Sequence, residues 1–175
     1  MKKFGLLLCT MFAGILTMYG QGAKNIKINE VLTNNTANLQ DEFGNRRAWI
    51  ELANTSFSTY DVRGMYITTD RRGLNKGLSV PQRIKMMSCI PNGDNRTSMS
   101  AREHLLFFFN SNPSHGTLHL SAQISKDKPT WIALYDGNAV DIIDSVTVPP
   151  LAANQSYARI KDGADQWAVK TSDCV

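Results

Sequence analysis

Hydrophobic residues occur along this chain in short runs that alternate with polar residues, and turn-forming residues separate the runs. Alternation with a period of two is typical of half-buried β-strands. Runs of this kind follow one another at 26–32, 48–54, 62–69, 104–110, 117–124, 131–136, 140–148, 156–160 and 166–170. Many short strands spaced by about 8–20 residues predict an all-β sandwich or barrel.

The residues between these runs are those that turns prefer. Asp136 and Gly137 separate two of the runs, and because both residue types tolerate positive φ they predict a β-hairpin. Helical periodicity is scarce. Residues 70–100 are weakly patterned and rich in Arg, Lys, Gly and Asn, which indicates exposed loops with room for one edge strand.

The first residues have the layout of a secretory signal peptide. Two lysines precede an uncharged run over 4–19, which is shorter than the ~20 residues that a membrane-spanning helix needs. We expect cleavage after Gly20, where small and polar residues begin; an uncleaved membrane anchor is the alternative. The prediction is a signal peptide at 1–20 and one exported domain at 21–175, with its core at about 26–170.

Charge and cysteine content add little to this picture. The chain carries 19 basic and 15 acidic side chains, and two of the lysines lie in the predicted signal. Nucleic-acid binders usually concentrate far more positive charge on one surface, so we expect no nucleic-acid ligand. After processing, Cys89 and Cys174 remain. In an oxidising compartment they could form a disulfide, and two unpaired thiols are the alternative.

Six stretches carry a resemblance to a known family: IKINEVLTNN, AWIELANTS, YDVRGMYITTD, LHLSAQIS, WIALYDGNAVDIIDSVTVP and QSYARIKDGADQWAV. Together they resemble the lamin tail domain family, in its bacterial exported branch. The resemblance implies a compact immunoglobulin-like β-sandwich that has no enzymatic activity. It also implies an interaction or attachment module of the cell envelope, in the periplasm or on the outer, extracellular side.

The carboxylates Glu30 and Glu51 are the first candidates for chemistry, since glycosidases use such pairs. Both lie in predicted strands that could be neighbours. Alternation places Ile50 and Leu52 on one face and Glu51 on the other. We therefore expect Glu51 to have a structural role, with a hydrogen bond or with a basic partner such as Arg46 or Arg47.

Other catalytic patterns are missing from the sequence. His104, His115 and His119 do not have the number and spacing of ligands that a zinc site needs. The sequence contains no G-x-S-x-G nucleophile elbow and no Gly-rich phosphate loop after a strand. We expect neither an enzyme nor a bound cofactor or metal.

Basic residues cluster between 46 and 96, where few acidic residues occur, and they are the best candidates for binding. If these loops converge, they form a positive patch for an acidic protein, a headgroup surface or an anionic polysaccharide. Ordinary solvated loops explain the same composition. The candidates are Arg46, Arg47, Arg71, Arg72, Lys76, Arg83 and Lys85, with Arg96 at the end of the cluster.

The sequence thus predicts an exported module whose loops bind another envelope protein. Two alternatives stay open. One is an accessory subunit of a membrane complex, similar to the small subunit of a sodium-pumping decarboxylase but without its membrane span. The other is a carbohydrate-binding sandwich, which would need a row of exposed aromatic side chains; Tyr60, Tyr66 and Trp131 are the candidates.

Overall fold

A computed structural model describes residues 22–112 and 115–171. The predicted signal peptide at 1–20 and Cys174 lie outside the described residues. The strands are β1 Ile26–Leu32, β2 Trp49–Asn54, β3 Tyr60–Asp61, β4 Tyr66–Thr68, β5 Ser88–Cys89, β6 Ser98–Met99, β7 His104–Phe109, β8 His119–Leu120, β9 Thr130–Tyr135, β10 Ile142–Val148, β11 Gln155–Arg159 and β12 Trp167–Thr171. A short α-helix spans Val80–Ile84, and 3-10 turns span Arg71–Leu74 and Asn95–Thr97.

The strands form two main sheets and a small third one. The first sheet has six strands in the order β12-β11-β1-β2-β7-β8, and the second has four in the order β10-β9-β4-β5. Strands β3 and β6 form a two-stranded sheet. Pairing is antiparallel throughout the described sheets except between β7 and β8. The prediction of an all-β, sandwich-like protein is confirmed, and the immunoglobulin-like class stays a prediction.

The hydrophobic core lies between the two main sheets. Ile50 and Leu52 project into it from β2, and Ile132 and Leu134 project into it from β9. These residues alternate with side chains that point to the outer faces, as the period-two pattern predicts. The core is therefore built from the aliphatic stripes that the sequence displays.

A buried ion pair joins the two sheets. The Asp144 carboxylate of β10 accepts hydrogen bonds of 2.8 Å from the Ile28 backbone N–H of β1 and from the Arg159 guanidinium of β11. Arg159 also donates to the Ile28 carbonyl at 2.8 Å. Both charged groups are almost fully buried, and their remaining bonds are made to backbone. This contact fixes β10 against the centre of the six-stranded sheet.

Some predicted strands differ from the observed ones. The run 62–69 contains a turn at Gly64, so β4 begins only at Tyr66.

 The φ of Gly64 is 76°, in the left-handed region that glycine adopts readily, and this turn ends the alternation on its N-terminal side. The run 117–124 forms a strand only at His119–Leu120, because Ser88 Oγ then accepts the Ala122 N–H at 2.9 Å in place of a sheet partner.

The predicted hairpin at Asp136 and Gly137 is confirmed, since β9 and β10 pair in antiparallel register around it. The positive φ falls on Ala139, at 55°, and not on the two predicted residues. Ala139 is also fully buried within this turn.

Residues 70–100 are more ordered than predicted. They contain the helix, both 3-10 turns and two short strands, β5 and β6, where room for one edge strand was expected. A segment that overlaps this region, residues 69–87, packs on the outer face of the four-stranded sheet, and we call it the β4–β5 cover. Trp131 and Tyr135 are buried on that face and pack with Met87. A Cβ added at Gly73 would lie 3.3 Å from Met87 Cε and 3.5 Å from Tyr135 Oη, so glycine permits this close approach.

A second segment, residues 33–48, lies on the outer face of the six-stranded sheet, and we call it the β1–β2 cover. Beneath it, Trp49 and Phe108 are buried neighbours on adjacent strands. His119 of β8 is the register partner of Phe108 and is buried beside it. Its Nε2 lies 2.9 Å from Glu42 Oε2 of the cover. Both outer faces are thus partly closed by loop segments.

Among the strands that the structure describes, β12 is at one edge of the six-stranded sheet and pairs with β11. Val169 is 50% exposed on this edge strand, and the next residue, Lys170, is exposed as well. Among residues 22–112 and 115–171, no helix is both long and apolar enough to cross a membrane.

Candidate binding groove

The predicted basic residues have very different environments. Arg46 donates to the Asn38 carbonyl, and Arg47 Nε lies 2.7 Å from Asp41 Oδ2, so both bind within the β1–β2 cover. Lys76 and Lys85 are exposed. These residues lie in loops, as predicted, and their convergence into one patch stays a prediction.

The sequence predicts an exposed loop position for Arg83, but the structure shows this side chain buried. It is only 6% exposed, and its guanidinium donates to three backbone carbonyls of the β4–β5 cover. The acceptors are Gly73, Asn75 at 2.7 Å and Leu78 at 3.2 Å. Since these bonds use its donors inside the protein, Arg83 has a structural role.

Arg71 and Arg72 line an open groove with a volume of about 950 Å³, which we call the Arg71 groove. The 3-10 turn after β4 provides the two arginines, and residues 123–131 provide the opposite wall. Trp131 of β9 and Thr147 of β10 are register partners and form part of the floor. The remaining lining residues are Thr69, Asp70, Gln123, Ile124, Ser125, Lys128, Pro129 and Thr130.

The local sequence explains how Arg72 is held. Asp70 precedes the 3-10 turn, and its carboxylate accepts the Arg72 backbone N–H at 2.9 Å. The same carboxylate pairs with the Arg72 guanidinium, with Nη2 and Oδ2 2.5 Å apart. This hydrogen-bonded guanidinium lowers the pKa of Asp70 below its ordinary value. Arg72 is therefore largely neutralised by its neighbour.

Arg71 is held by an aromatic ring and not by a carboxylate. Its Cζ lies 5.6 Å from the centroid of the Trp131 ring, within the range of a cation–π contact. Such a contact uses the charge of the guanidinium and leaves its N–H groups available for a ligand. Lys128 adds a second cation to the groove. The arrangement suits the binding of an anion.

The three aromatic side chains that the sequence suggests for an exposed row are partly or fully buried and lie on two different sheets. Trp131 is only 9% exposed and Tyr66 packs on the same outer face. Tyr60 belongs to the separate two-stranded sheet. Trp131 therefore contributes to the groove as a support for Arg71.

Glu51 does take a hydrogen bond, as expected, but its partner is unlike those named from the sequence. Its Oε1 accepts from Asn29 Nδ2 at 2.9 Å, whereas Arg46 and Arg47 bind inside their own loop. Glu30 is the register partner of Glu51 on the neighbouring strand. The predicted adjacency of the two strands is thus confirmed.

The histidines lie in two places. His104, the first residue of β7, has its Nε2 3.3 Å from Asp162 Oδ2. His115 and His119 each present Nδ1 to the Asn110 side-chain amide, at 3.0 Å and 2.7 Å. Within the part of the chain that the structure describes, no three side chains from His, Cys, Asp and Glu are grouped so that they could hold a metal ion.

Glu42 contributes a carboxylate to the group that Asn110, His115 and His119 form. Burial raises the pKa of Glu42, but hydrogen bonds from its own backbone N–H and from His119 outweigh this effect and bring it below the ordinary value. The carboxylate and His119 therefore serve to hold the β1–β2 cover on the sheet.

Cys89 is exposed and is a free cysteine. Its proposed partner, Cys174, lies outside the described residues, so the disulfide stays a prediction.

Sequence reasoning identified Arg71 and Arg72 but missed Lys128, Gln123 and Ser125 as members of the same groove. These residues lie about 50 positions further along the chain, and no local signal connects the two segments. No protein-family model matches this chain, no curated protein is significantly similar to it, and no solved structure matches it at a significant level.

Proposed function

We propose that this protein is a non-enzymatic, exported interaction module of the lamin-tail type, and that the Arg71 groove is its binding surface. In this proposal the domain is an immunoglobulin-like sandwich that attaches to an anionic component of the cell envelope. The all-β, sandwich-like architecture and the cationic lining of the groove support it.

The observation that carries the proposal is the different use of the basic side chains. Within residues 22–112 and 115–171, neither Arg71 nor Lys128 takes part in a salt bridge. Arg47 and Arg72 each have an internal carboxylate partner. Two cations without an internal counter-charge thus face one groove, where they favour a negative ligand.

Binding of this kind requires no large rearrangement of the domain. The four-stranded sheet provides Trp131 and Thr147 as a fixed floor, and Trp131 positions the guanidinium of Arg71. Preorganisation of this kind lowers the entropy cost of binding. The affinity should fall as the salt concentration rises, because the groove is open to solvent.

The test is co-sedimentation of the purified protein with the cell-envelope fraction of the organism that produces it. The variant Arg71→Ala with Lys128→Ala should reduce the bound fraction at least tenfold. The matched control is Arg46→Ala with Lys85→Ala, which removes the same charge outside the groove and should bind like the natural protein. Equal losses in the two double variants would mean that only the overall charge matters, and this would contradict the proposal.

A further inference from the structure

We propose that the ligand of the Arg71 groove is a polysaccharide that carries carboxylate groups. This inference rests on the proposed function and specifies the chemistry of its ligand. Three properties of the groove support it: the presentation of Arg71, the low density of charge and the polar lining.

Arg71 is prepared for a planar anion. The cation–π contact with Trp131, 5.6 Å from Arg71 Cζ to the ring centroid, holds the guanidinium in the groove, and the paired N–H groups of a guanidinium match the two oxygens of a carboxylate. A lysine in the same place would provide charge without this bidentate geometry. The groove therefore contains one position where a carboxylate fits better than a point anion.

The charge in the groove is sparse. Its cations are Arg71, Arg72 and Lys128, and Asp70 neutralises Arg72. Nucleic acids carry a negative charge about every 3.4 Å per strand, and their binding surfaces have more Lys and Arg than this groove has. Two available cations match a ligand whose charges are further apart, as in a chain of sugars with occasional carboxylates.

The rest of the lining combines apolar surface from Ile124, Pro129 and Trp131 with hydroxyl and amide side chains. Gln123 and Thr147 are exposed in the groove and Thr69 lies beside them, whereas the hydroxyls of Ser125 and Thr130 bond to the backbone of their own loop. Such side chains both donate and accept hydrogen bonds, which is what the hydroxyl groups of a sugar require. An acidic peptide would supply carboxylates but few hydroxyl partners for this wall.

The open shape of the groove admits a polymer. Its volume of about 950 Å³ lies near the upper end of the ~300–1,000 Å³ that is usual for small-molecule sites. Because the groove is open, a chain can enter and leave it along the surface.

The experiment is calorimetric titration of the natural protein and its variants with four soluble polymers. Polygalacturonate provides carboxylates on sugars, and its fully methyl-esterified form provides the same backbone without charge. Dextran sulfate provides sugars with a different anion, and poly-L-glutamate provides carboxylates without sugar hydroxyls. We expect binding to polygalacturonate, at least tenfold weaker binding to the other anions, and none to the ester.

The variants locate the binding and test its geometry. Arg71→Ala and Lys128→Ala should each weaken polygalacturonate binding at least tenfold, and Arg46→Ala and Lys85→Ala should leave it unchanged. Arg71→Lys keeps the charge, so a weakening close to that of Arg71→Ala supports bidentate recognition. Circular dichroism of each variant checks that the fold is retained.

Two results would overturn the inference in different ways. Binding to poly-L-glutamate or dextran sulfate as tight as to polygalacturonate, with the same dependence on Arg71, would leave the groove as a general anion site and remove only the ligand class. Binding to none of the polymers, together with unchanged envelope binding by the Arg71→Ala, Lys128→Ala variant, would overturn the proposed function as well.

Discussion

The two covers perform the same structural task with buried ions of opposite sign. In the β1–β2 cover, the Asp41 carboxylate accepts from the backbone N–H groups of Phe43 and Asn45 and from Arg47. In the β4–β5 cover, the Arg83 guanidinium donates to backbone carbonyls. One loop is organised around an acceptor and the other around a donor. Each buried ion satisfies backbone groups that have no sheet partner.

A basic residue in a loop of this protein thus has one of three uses. Arg83 organises backbone, Arg47 balances a buried acid, and Arg71 is directed to the groove. The difference lies in what faces each guanidinium, and it leads to separate expectations for stability, acid sensitivity and binding.

The largest expected effect is that of Arg83→Met. The methionine keeps much of the apolar stem but leaves the carbonyls of Gly73, Asn75 and Leu78 without their charged donor. Losing charge-assisted bonds to buried acceptors should lower the free energy of unfolding by about 3 kcal/mol. Urea denaturation followed by circular dichroism measures this. Arg71→Met is the control and should change stability by less than about 1 kcal/mol, since it removes one exposed cation–π contact. Equal effects of the two variants would show that Arg83 does not organise its cover.

The next effect is that of Asp41→Asn in the other cover. The asparagine has nearly the same shape, but its neutral oxygen accepts more weakly, and its amide nitrogen faces donors. We expect the free energy of unfolding to fall by about 2 kcal/mol. The same urea experiment applies, and Asp127→Asn, at an exposed loop position, is the control that should leave the midpoint unchanged.

Acid should release the β1–β2 cover before the β4–β5 cover. Although burial raises the pKa of Asp41, hydrogen bonds from Asn45, Arg47 and Phe43 outweigh it and lower the pKa below its ordinary value. The stability from a lowered carboxyl pKa is complete above the unfolded value and is lost as the pH falls through the folded one. The loss should therefore begin below about pH 4. Arg83 stays charged throughout this range, although the exposed Asp70–Arg72 pair of its cover also weakens.

The tryptophans beneath the two covers provide the measurement. Trp49 lies under the β1–β2 cover and Trp131 under the β4–β5 cover. In variants that keep only one of them, with phenylalanine at the other tryptophans, the emission of Trp49 should shift to the red at a higher pH than that of Trp131. Simultaneous shifts would indicate one cooperative acid transition and would contradict separate control of the covers.

The smallest effect is that of Arg47→Ala. Asp41 keeps its backbone donors in this variant, and the Arg47 side chain is 26% exposed. A partly solvated pair of this kind contributes about 0.5–1 kcal/mol. A double-mutant cycle with Asp41→Asn measures the coupling, and a coupling near zero would assign the organisation of the loop to the backbone bonds alone.

The strands could be predicted from the sequence because alternation is a local signal. The run 26–32 matches β1 at both ends, and the core faces of β2 and β9 follow from the pattern of Ile50, Leu52, Ile132 and Leu134. The short helix had a local signal too. Ser79 and Gln82 form a capping pair, with the Ser79 N–H donating to Gln82 Oε1 at 2.8 Å, and Pro81 stands in the first turn.

The groove could be predicted only in part, since its members come from segments far apart in the chain. Arg71 and Arg83 are equivalent in a list of basic residues, and only tertiary packing decides that one meets Trp131 and the other meets carbonyl oxygens. The short strands β5 and β6 were missed for a related reason, because two residues are too few to show a period.

The edge strand β12 has a consequence for self-assembly. Its outer side could in principle extend the sheet with a strand from a second molecule. Lys170 is exposed there, and a second copy arriving edge to edge would bring another lysine close to it. Like charges at the seam oppose such growth, and edge lysines are a common protection against it. The positive charge of Lys170 therefore disfavours edge-to-edge extension of the six-stranded sheet.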